Sequence, residues 1–365
     1  MEYFMPTRLY TGADCLAAHA DALAALGTSC LIVTDKTSAR SSGALADVSS
    51  ALGQAHVASA VWDSITANPP LASCMEAGRF ARNLRCDFIL GIGGGSALDA
   101  AKAIAVLAAN PDLTEEAFYA KQWAAEPLPI ALVGTTAGTG SEVTKVSVLT
   151  DSASRKHSIH DDRLYARVSF GDPRHTSTCP QPVTLTCGVD VLAHATEAYF
   201  SRKADEISRA FSVRAVRLAW EPLKAVARGE QLSADQRGAL YDASILGGLA
   251  INTCGTCFPH NVGYYLTENY GVPHGFASAV FLPKMVEMCH REDLAYADGF
   301  FAAIGHSLDS FVQLVRACLP EFTFKMDADE IEAALPRWEN NGSVKNTRAD
   351  VSTTDIREIL TDMFV

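Results

Sequence analysis

The sequence predicts an α/β domain on a parallel sheet over residues 1–175, followed by an all-helical domain over residues 176–365. Three observations carry this. Short β-rich runs alternate with Ala-rich or amphipathic stretches through the first half, the pattern that lays helices on the faces of a parallel sheet. From Pro182 onward helical periodicity takes over and β-branched runs become scarce. The length of 365 residues also suits two domains of roughly 100–200 residues each.

The elements follow in order. Cys30–Thr34, His56–Val61, Phe88–Ile92 and Ile130–Val133 are apolar runs of strand length. Ser96 is placed to cap a helix over 98–109, with Asp99 at the third helical position as in a capping box. Lys145–Thr150 and Lys156–Ile159 read as a hairpin around residues 151–154, and Ala166–Phe170 as a last strand ended by Gly171-Asp172-Pro173. Helices are then expected over 189–200, 204–228, 233–252, 276–290 and 294–318. A ligand cleft is expected between the two domains.

Composition excludes several functions. A chain that is 48% hydrophobic and 20% charged, with 25 Gly and 15 Pro, is globular rather than disordered or collagen-like. Thirty basic residues against 42 acidic ones give a formal charge of −12, the wrong sign for a nucleic-acid partner. Met1–Arg8 includes Glu2 and no apolar run of signal-peptide length, so secretion is not expected. The longest uncharged stretch, Ala243–Thr267, holds Asn252, Pro259, His260, Asn261 and four glycines. That is too polar to span a membrane, and it reads as a buried helix that carries His260 to the cleft. Ten cysteines scattered from Cys15 to Cys318 read as reduced thiols of a cytoplasmic protein. Cys254-Gly-Thr-Cys257 is the only CxxC, and without a second one it is not assigned a metal or redox role.

Two groups of residues carry chemistry. Gly91-Ile-Gly93-Gly94-Gly95-Ser96 follows a strand and opens a helix, where backbone N–H groups and the helix N-terminus favour a diphosphate. Ser96 in the sixth position and the lack of an acid on a following strand depart from the Rossmann fingerprint, and by itself the segment also suits a plain strand-to-helix turn. Asp35, just past a strand, is placed to accept from an adenosine ribose and to favour NAD over NADP; Lys36 and Arg40 beside it weaken that preference. Thr135, Thr136 and Thr144 lie in a loop rich in Gly and hydroxyls, of the kind that can bind a nucleotide.

The second group contains Asp190 and His194, four apart on a helix and so on one face. His260 and His274 bracket a loop rich in Gly and Tyr. One carboxylate and three imidazoles suit Fe(II), Zn(II), Co(II) or Mn(II) alike. Asp190 with His194 would also suit an ordinary surface pair, and His274 a loop residue. The uncharged setting of His260 favours the metal, because a buried imidazole needs a partner. His19, His56, His290 and His306 do not cluster and are expected to be structural or solvated, while His157 and His160 flank the hairpin and are not expected to be catalytic.

In this order the segments resemble the iron-containing (group III) alcohol dehydrogenase family along nearly the whole chain. The resemblance is carried by Asn68-Pro69, Gly93 to Lys102, Thr135 to Thr144, Gly171-Asp172-Pro173, Gly188 to Ala198, His260, and Pro273-His274-Gly275. It implies a dehydroquinate-synthase-like fold, with an N-terminal dinucleotide-binding domain and a C-terminal metal-binding domain. The expected reaction passes a hydride between a primary alcohol, or its aldehyde, and NAD or NADP. Asp190, His194, His260 and His274 match the family's ligands for one divalent metal, Fe(II) by resemblance with Zn(II) the alternative. Asp35, Asn68, Gly93, Gly94, Gly95, Ser96, Asp99, Thr135, Thr136, Thr144 and Lys156 match cofactor positions. Many members carry a further histidine where this chain has Tyr264, which is therefore expected to contact the substrate or relay a proton; the usual Asn-Pro-Thr reads Asn68-Pro69-Pro70. The expected partners are a small alcohol or aldehyde and a second copy of the chain in a homodimer, with no membrane and no nucleic acid. A glycerol-dehydrogenase-like polyol oxidase, a dehydroquinate-synthase-like lyase and a silent nucleotide-binding protein are the rival readings.

Overall fold

Strands β1 (Arg8–Thr11), β2 (Ser29–Val33), β3 (Ala58–Trp62), β4 (Phe88–Gly93), β5 (Ile130–Gly134), β6 (Val146–Thr150), β7 (Lys156–His160) and β8 (Val168–Gly171) all lie in the first half of the chain. The computed structural model describes residues 3–365 and divides them into two units. One comprises residues 4–180 and 233–241, the other residue 3, residues 181–232 and residues 242–365.

In the first unit six parallel strands form a sheet in the order β1-β8-β5-β4-β2-β3. Strand periodicity sends alternate side chains to opposite faces, and the inner strands are apolar on both. Leu31, Val33, Ile89, Ile130 and Leu132 enter the core beneath the helices Leu71–Asn83 and Gly95–Ala109. Cys30, Ile32, Phe88, Leu90, Ile92, Ala131 and Val133 enter the core on the other side, beneath Ala44–Gln54. Burial on both faces is the reason these strands read as continuous apolar runs. Helix Gly95–Ala109 is buried along most of its length, and its alanines let it approach closely: a Cβ on Gly91 would lie 2.7 Å from Ala101 Cβ. Strands β6 and β7 form the expected hairpin, separate from the main sheet and antiparallel, with Thr150 opposite Lys156.

Several boundaries differ from expectation. Strand β1 has no signal in the sequence, because Arg-Leu-Tyr-Thr has no apolar run; pairing with β8 makes it a strand. Strand β3 begins at Ala58 because His56 is in the left-handed region, φ +54°. Helix Gly95–Ala109 starts ahead of Ser96, with Gly94 at the N-cap. Asp99 does not fold back to cap it; its carboxylate accepts instead from Ser141 Oγ at 2.7 Å and Val148 N–H at 2.9 Å.

The second unit is helical. Asp205 and Ser208 form a capping box that starts helix Glu206–Ala227, which packs beside helix Gln181–Tyr199. Tyr199, Phe200, Tyr296, Phe300 and Phe311 form an aromatic core. The uncharged run is not one helix: the chain breaks at Gly255, φ +69°, into Ala234–Cys254 and Phe258–Tyr270. The expected helix over 276–290 divides into His274–Ala279 and Leu282–Glu292. That over 294–318 divides at Gly305, φ +80°, into Leu294–Ile304 and Leu308–Cys318. Among the described residues, no helix is long and apolar enough to cross a membrane.

Candidate metal centre and cofactor loops

Helix Gln181–Tyr199 presents Asp190, His194 and Glu197 at spacings of four and three, so all three leave one face. His260 lies in the first turn of Phe258–Tyr270, and His274 opens His274–Ala279. Two glycines let these helices close on one point. A Cβ on Gly275 would lie 1.9 Å from the Thr186 carbonyl oxygen, and one on Gly263 2.5 Å from that of Ala277. Only hydrogen fits at either contact.

The result is a cluster in which Asp190, His194 and His260 are buried and His274 is partly exposed. Asp190 Oδ1 lies 3.5 Å from His260 Nε2 and 4.0 Å from His274 Nε2, while Asp190 Oδ2 lies 4.0 Å from His194 Nε2. The His194 and His260 rings stack at 4.7 Å. Ligand atoms of Asp190, His260 and His274 all fall within 4.8 Å of one another. Bonds of about 2.0–2.2 Å to a tetrahedral ion hold ligand atoms roughly 3.4 Å apart, so the set fits a small divalent cation after a slight contraction. Asp190 Oδ1 and His260 Nε2 are buried and make no hydrogen bond, an arrangement that costs free energy unless a cation joins them.

Electrostatics make the cluster attract positive charge. Burial would raise the Asp190 pKa, but His194, His274 and His260 around it hold the carboxylate well below its usual range. Burial would lower that of His260, but the Glu197 and Asp190 carboxylates outweigh it and raise the imidazole to about 10. His260 Nδ1–H donates to Glu197 Oε1 at 2.5 Å, and Glu197 Oε2 accepts the Cys257 N–H at 2.7 Å. Tyr264, one turn after His260, stacks its ring on His274 at 5.5 Å.

The cofactor candidates gather in the first unit. From β2 the chain moves outward to β3, whereas from β4 it moves the other way to β5. Ligands of open α/β sheets bind at such a reversal, beyond the carboxyl ends of the strands. Asp35 follows β2, Gly93–Ser96 runs from the last residue of β4 into the next helix, and a Cβ on Gly93 would lie 3.9 Å from Asp35 Oδ2. Asp35 accepts N–H bonds from Thr37 at 2.7 Å and Ser38 at 2.6 Å. Burial would raise its pKa, but these bonds and the Ser38 hydroxyl keep it low and the side chain ionised.

Asn68, in the left-handed region, donates its N–H to Ser96 Oγ at 3.3 Å. Thr136 packs on Gly94 and Thr139 on Gly95, where a Cβ would come within 2.6 Å of Thr139 Cγ2. Thr135 donates its N–H to the Gly93 carbonyl at 2.9 Å. The hydroxyls of Thr135 and Thr34 are buried without a hydrogen-bond partner, so this end of the sheet offers unused donors beside a cradle lined by glycines. That fits a dinucleotide.

Other candidates lie beneath the loop. Thr144 is buried at the end of the turn Ser141–Val143, and Lys156 opens β7 close enough for its charge to act on Asp99. Lys102, which stands out in the sequence only as part of a motif, is fully buried and donates to Ser141 Oγ and the Val146 carbonyl, each at 2.7 Å. Burial pushes its pKa down to about 8 against the pull of Asp99 and Glu142. Glu142 in turn accepts from the buried Tyr241 hydroxyl at 2.8 Å. Asp99, Lys102 and Ser141 thus tie the helix of the glycine loop to the hairpin. Glu197 has no assigned role in the sequence, although its spacing from Asp190 and His194 puts it on their face.

The two thiols of the CxxC are buried against backbone carbonyls. Cys254 Sγ donates to the Ala250 carbonyl and Cys257 Sγ to that of Glu197, and burial pushes the Cys254 thiol up to about 12 and that of Cys257 well above its usual range. All ten cysteines are free.

Comparison with known proteins finds relatives along both halves of the chain. The family model described as iron-containing alcohol dehydrogenase matches residues 6–173, and its C-terminal counterpart matches residues 184–310. A long-chain-alcohol dehydrogenase of Geobacillus thermodenitrificans is 35% identical over 79% of this chain and 72% of its own. A 1,3-propanediol dehydrogenase of Citrobacter freundii is 35% identical over 78% of this chain and 74% of its own. The crystal structure of an iron-containing alcohol dehydrogenase from Thermotoga maritima superposes with a TM-score of 0.91 at 31% identity, covering 100% of this chain and 99% of that one. The chain is an oxidoreductase and belongs to the iron-containing alcohol dehydrogenase family.

Proposed function

We propose that the protein transfers a hydride reversibly between a primary alcohol, or its aldehyde, and NAD, with a divalent metal held by Asp190, His194, His260 and His274. The observation that carries this reading is the buried pair Asp190 Oδ1 and His260 Nε2, 3.5 Å apart, with no hydrogen bond to either atom. When bound, the ion polarises the substrate oxygen and the nicotinamide exchanges the hydride.

The chain's own residues supply the rest. Backbone N–H groups of Gly93–Ser96 and the N-terminus of Gly95–Ala109 attract the diphosphate, and Thr136 and Thr139 brace that loop from the side. Asp99 and Lys102 brace it from below, with Thr144 and Lys156 at the hairpin end. Asn68 holds Ser96 in place. The ionised Asp35 accepts from ribose hydroxyls and repels a 2′-phosphate, which favours NAD. The Tyr264 hydroxyl is a hydrogen-bond donor one turn from His260 and is proposed to orient the substrate or pass on its proton. Family membership favours Fe(II), with Zn(II) served by the same donor atoms. A homodimer in the cytoplasm, acting also as an aldehyde reductase, completes the reading.

The test is a panel of alcohols and aldehydes with NAD(H) and NADP(H), after reconstitution with Fe(II) or Zn(II). Free NADH released from simple alcohols is expected. Inactivity with every alcohol and aldehyde, in a protein shown to contain metal, overturns the proposal.

A further inference from the structure

We propose that Glu197 is the positioning residue of the metal centre, fixing the tautomer and the aim of His260. This rests on the metal reading above. A histidine that binds an ion through Nε2 must carry its proton on Nδ1, and the group that accepts that proton's hydrogen bond sets how the ring points. Glu197 Oε1 is that acceptor, 2.5 Å from His260 Nδ1, which leaves Nε2 directed at Asp190 Oδ1.

Glu197 does this with a rigid support. It is completely buried on the helix that carries Asp190 and His194, one turn beyond His194. Its other oxygen accepts the Cys257 N–H at 2.7 Å and lies 3.5 Å from the His260 backbone nitrogen. Cys257 is the N-cap of the helix bearing His260. One carboxylate therefore holds both the ring and the backbone turn that carries it, referenced to the helix that supplies two further ligands. A neutral, shorter or absent side chain at 197 gives up one or both of these bonds.

The experiment measures cobalt(II) affinity at fixed pH by competition with a chelator, together with the visible spectrum of the bound ion, for the full-length wild type, Glu197→Gln, Glu197→Asp, His260→Ala and the double variant Glu197→Gln/His260→Ala. Loss of such a supporting carboxylate weakens metal binding by about 10–100-fold, so Gln and Asp are expected to show a loss in that range and an altered cobalt spectrum. In the His260→Ala background, Glu197→Gln is expected to add nothing, because the residue acts through that ring. Wild-type affinity and spectrum in both Glu197 variants overturn the proposal. So does an equal loss with and without His260, which would make Glu197 merely structural. A wild-type chain that takes up no cobalt, zinc or iron would instead overturn the metal reading itself.

Discussion

Replacing Gly275 with alanine adds one methyl group next to a proposed ligand. The ideal Cβ falls 1.9 Å from the Thr186 carbonyl oxygen and 3.1 Å from Asp190 Cβ. A carbon and a carbonyl oxygen settle at about 3.3–3.6 Å, so the two helices must part by more than ~1 Å. Both lie in a close-packed interior that relaxes little, and overpacking of this kind costs about 1–3 kcal/mol. The displaced element begins at His274, and metal bonds tolerate only about 0.2 Å of error. The expected result of Gly275→Ala is a lower unfolding temperature and a loss of cobalt(II) affinity approaching that of His274→Ala. Thermal unfolding and chelator competition measure the two. A control is Gly53→Ala in helix Ala44–Gln54, where no atom lies within 4 Å of the added Cβ; it should gain about 0.4–1 kcal/mol from the less flexible unfolded chain. Wild-type stability and metal affinity in Gly275→Ala would refute the packing argument.

Three further outcomes are expected. His260→Ala and His274→Ala should each lose both the bound metal, read by elemental analysis, and turnover; full activity in either metal-free variant contradicts the ligand set. Asp172 accepts N–H bonds from Asp14 at 2.8 Å and Arg174 at 3.0 Å and pairs with the Arg174 guanidinium; although burial opposes it, these contacts hold its pKa down, so its stabilisation is present above an unfolded Asp pKa of about 3.9 and is lost as pH falls through the lowered folded value. Asp172→Asn should then cost about 1–3 kcal/mol at neutral pH, and denaturant titrations should show the gap to wild type closing below pH ~4; a gap that does not change with pH contradicts this. Asp35→Asn should raise the NADPH-to-NADH ratio of kcat/KM by about tenfold or more, about 1.4 kcal/mol, and an unchanged ratio argues against the ribose role.

Much of the site was legible because its spacing is local. Asp190, His194 and Glu197 share a helix face whatever surrounds them, since 3.6 residues per turn dictates it. The inner strands were legible because burial on both faces leaves an unbroken apolar run, as in Phe88–Ile92. Strand β1 was not, since an edge strand of four residues with an exposed face needs little apolar character. Breaks at Gly255 and Gly305 were equally hidden. A glycine inside a helical pattern does not announce whether it will take a positive φ.

By itself, then, the sequence determined the succession of an α/β unit and a helical one, the glycine loop, and the four metal-ligand candidates, all of which follow from periodicity and residue chemistry along the chain. Tertiary structure decided which polar residues meet. That Lys102 lies buried against Ser141, that Gly275 rests on Thr186, and that Glu197 grips both the ring of His260 and the turn beneath it depend on contacts between residues far apart in the chain. Such contacts are set by how helices and strands pack. No local pattern encodes them, because the free energy that selects them comes from burying many surfaces at once.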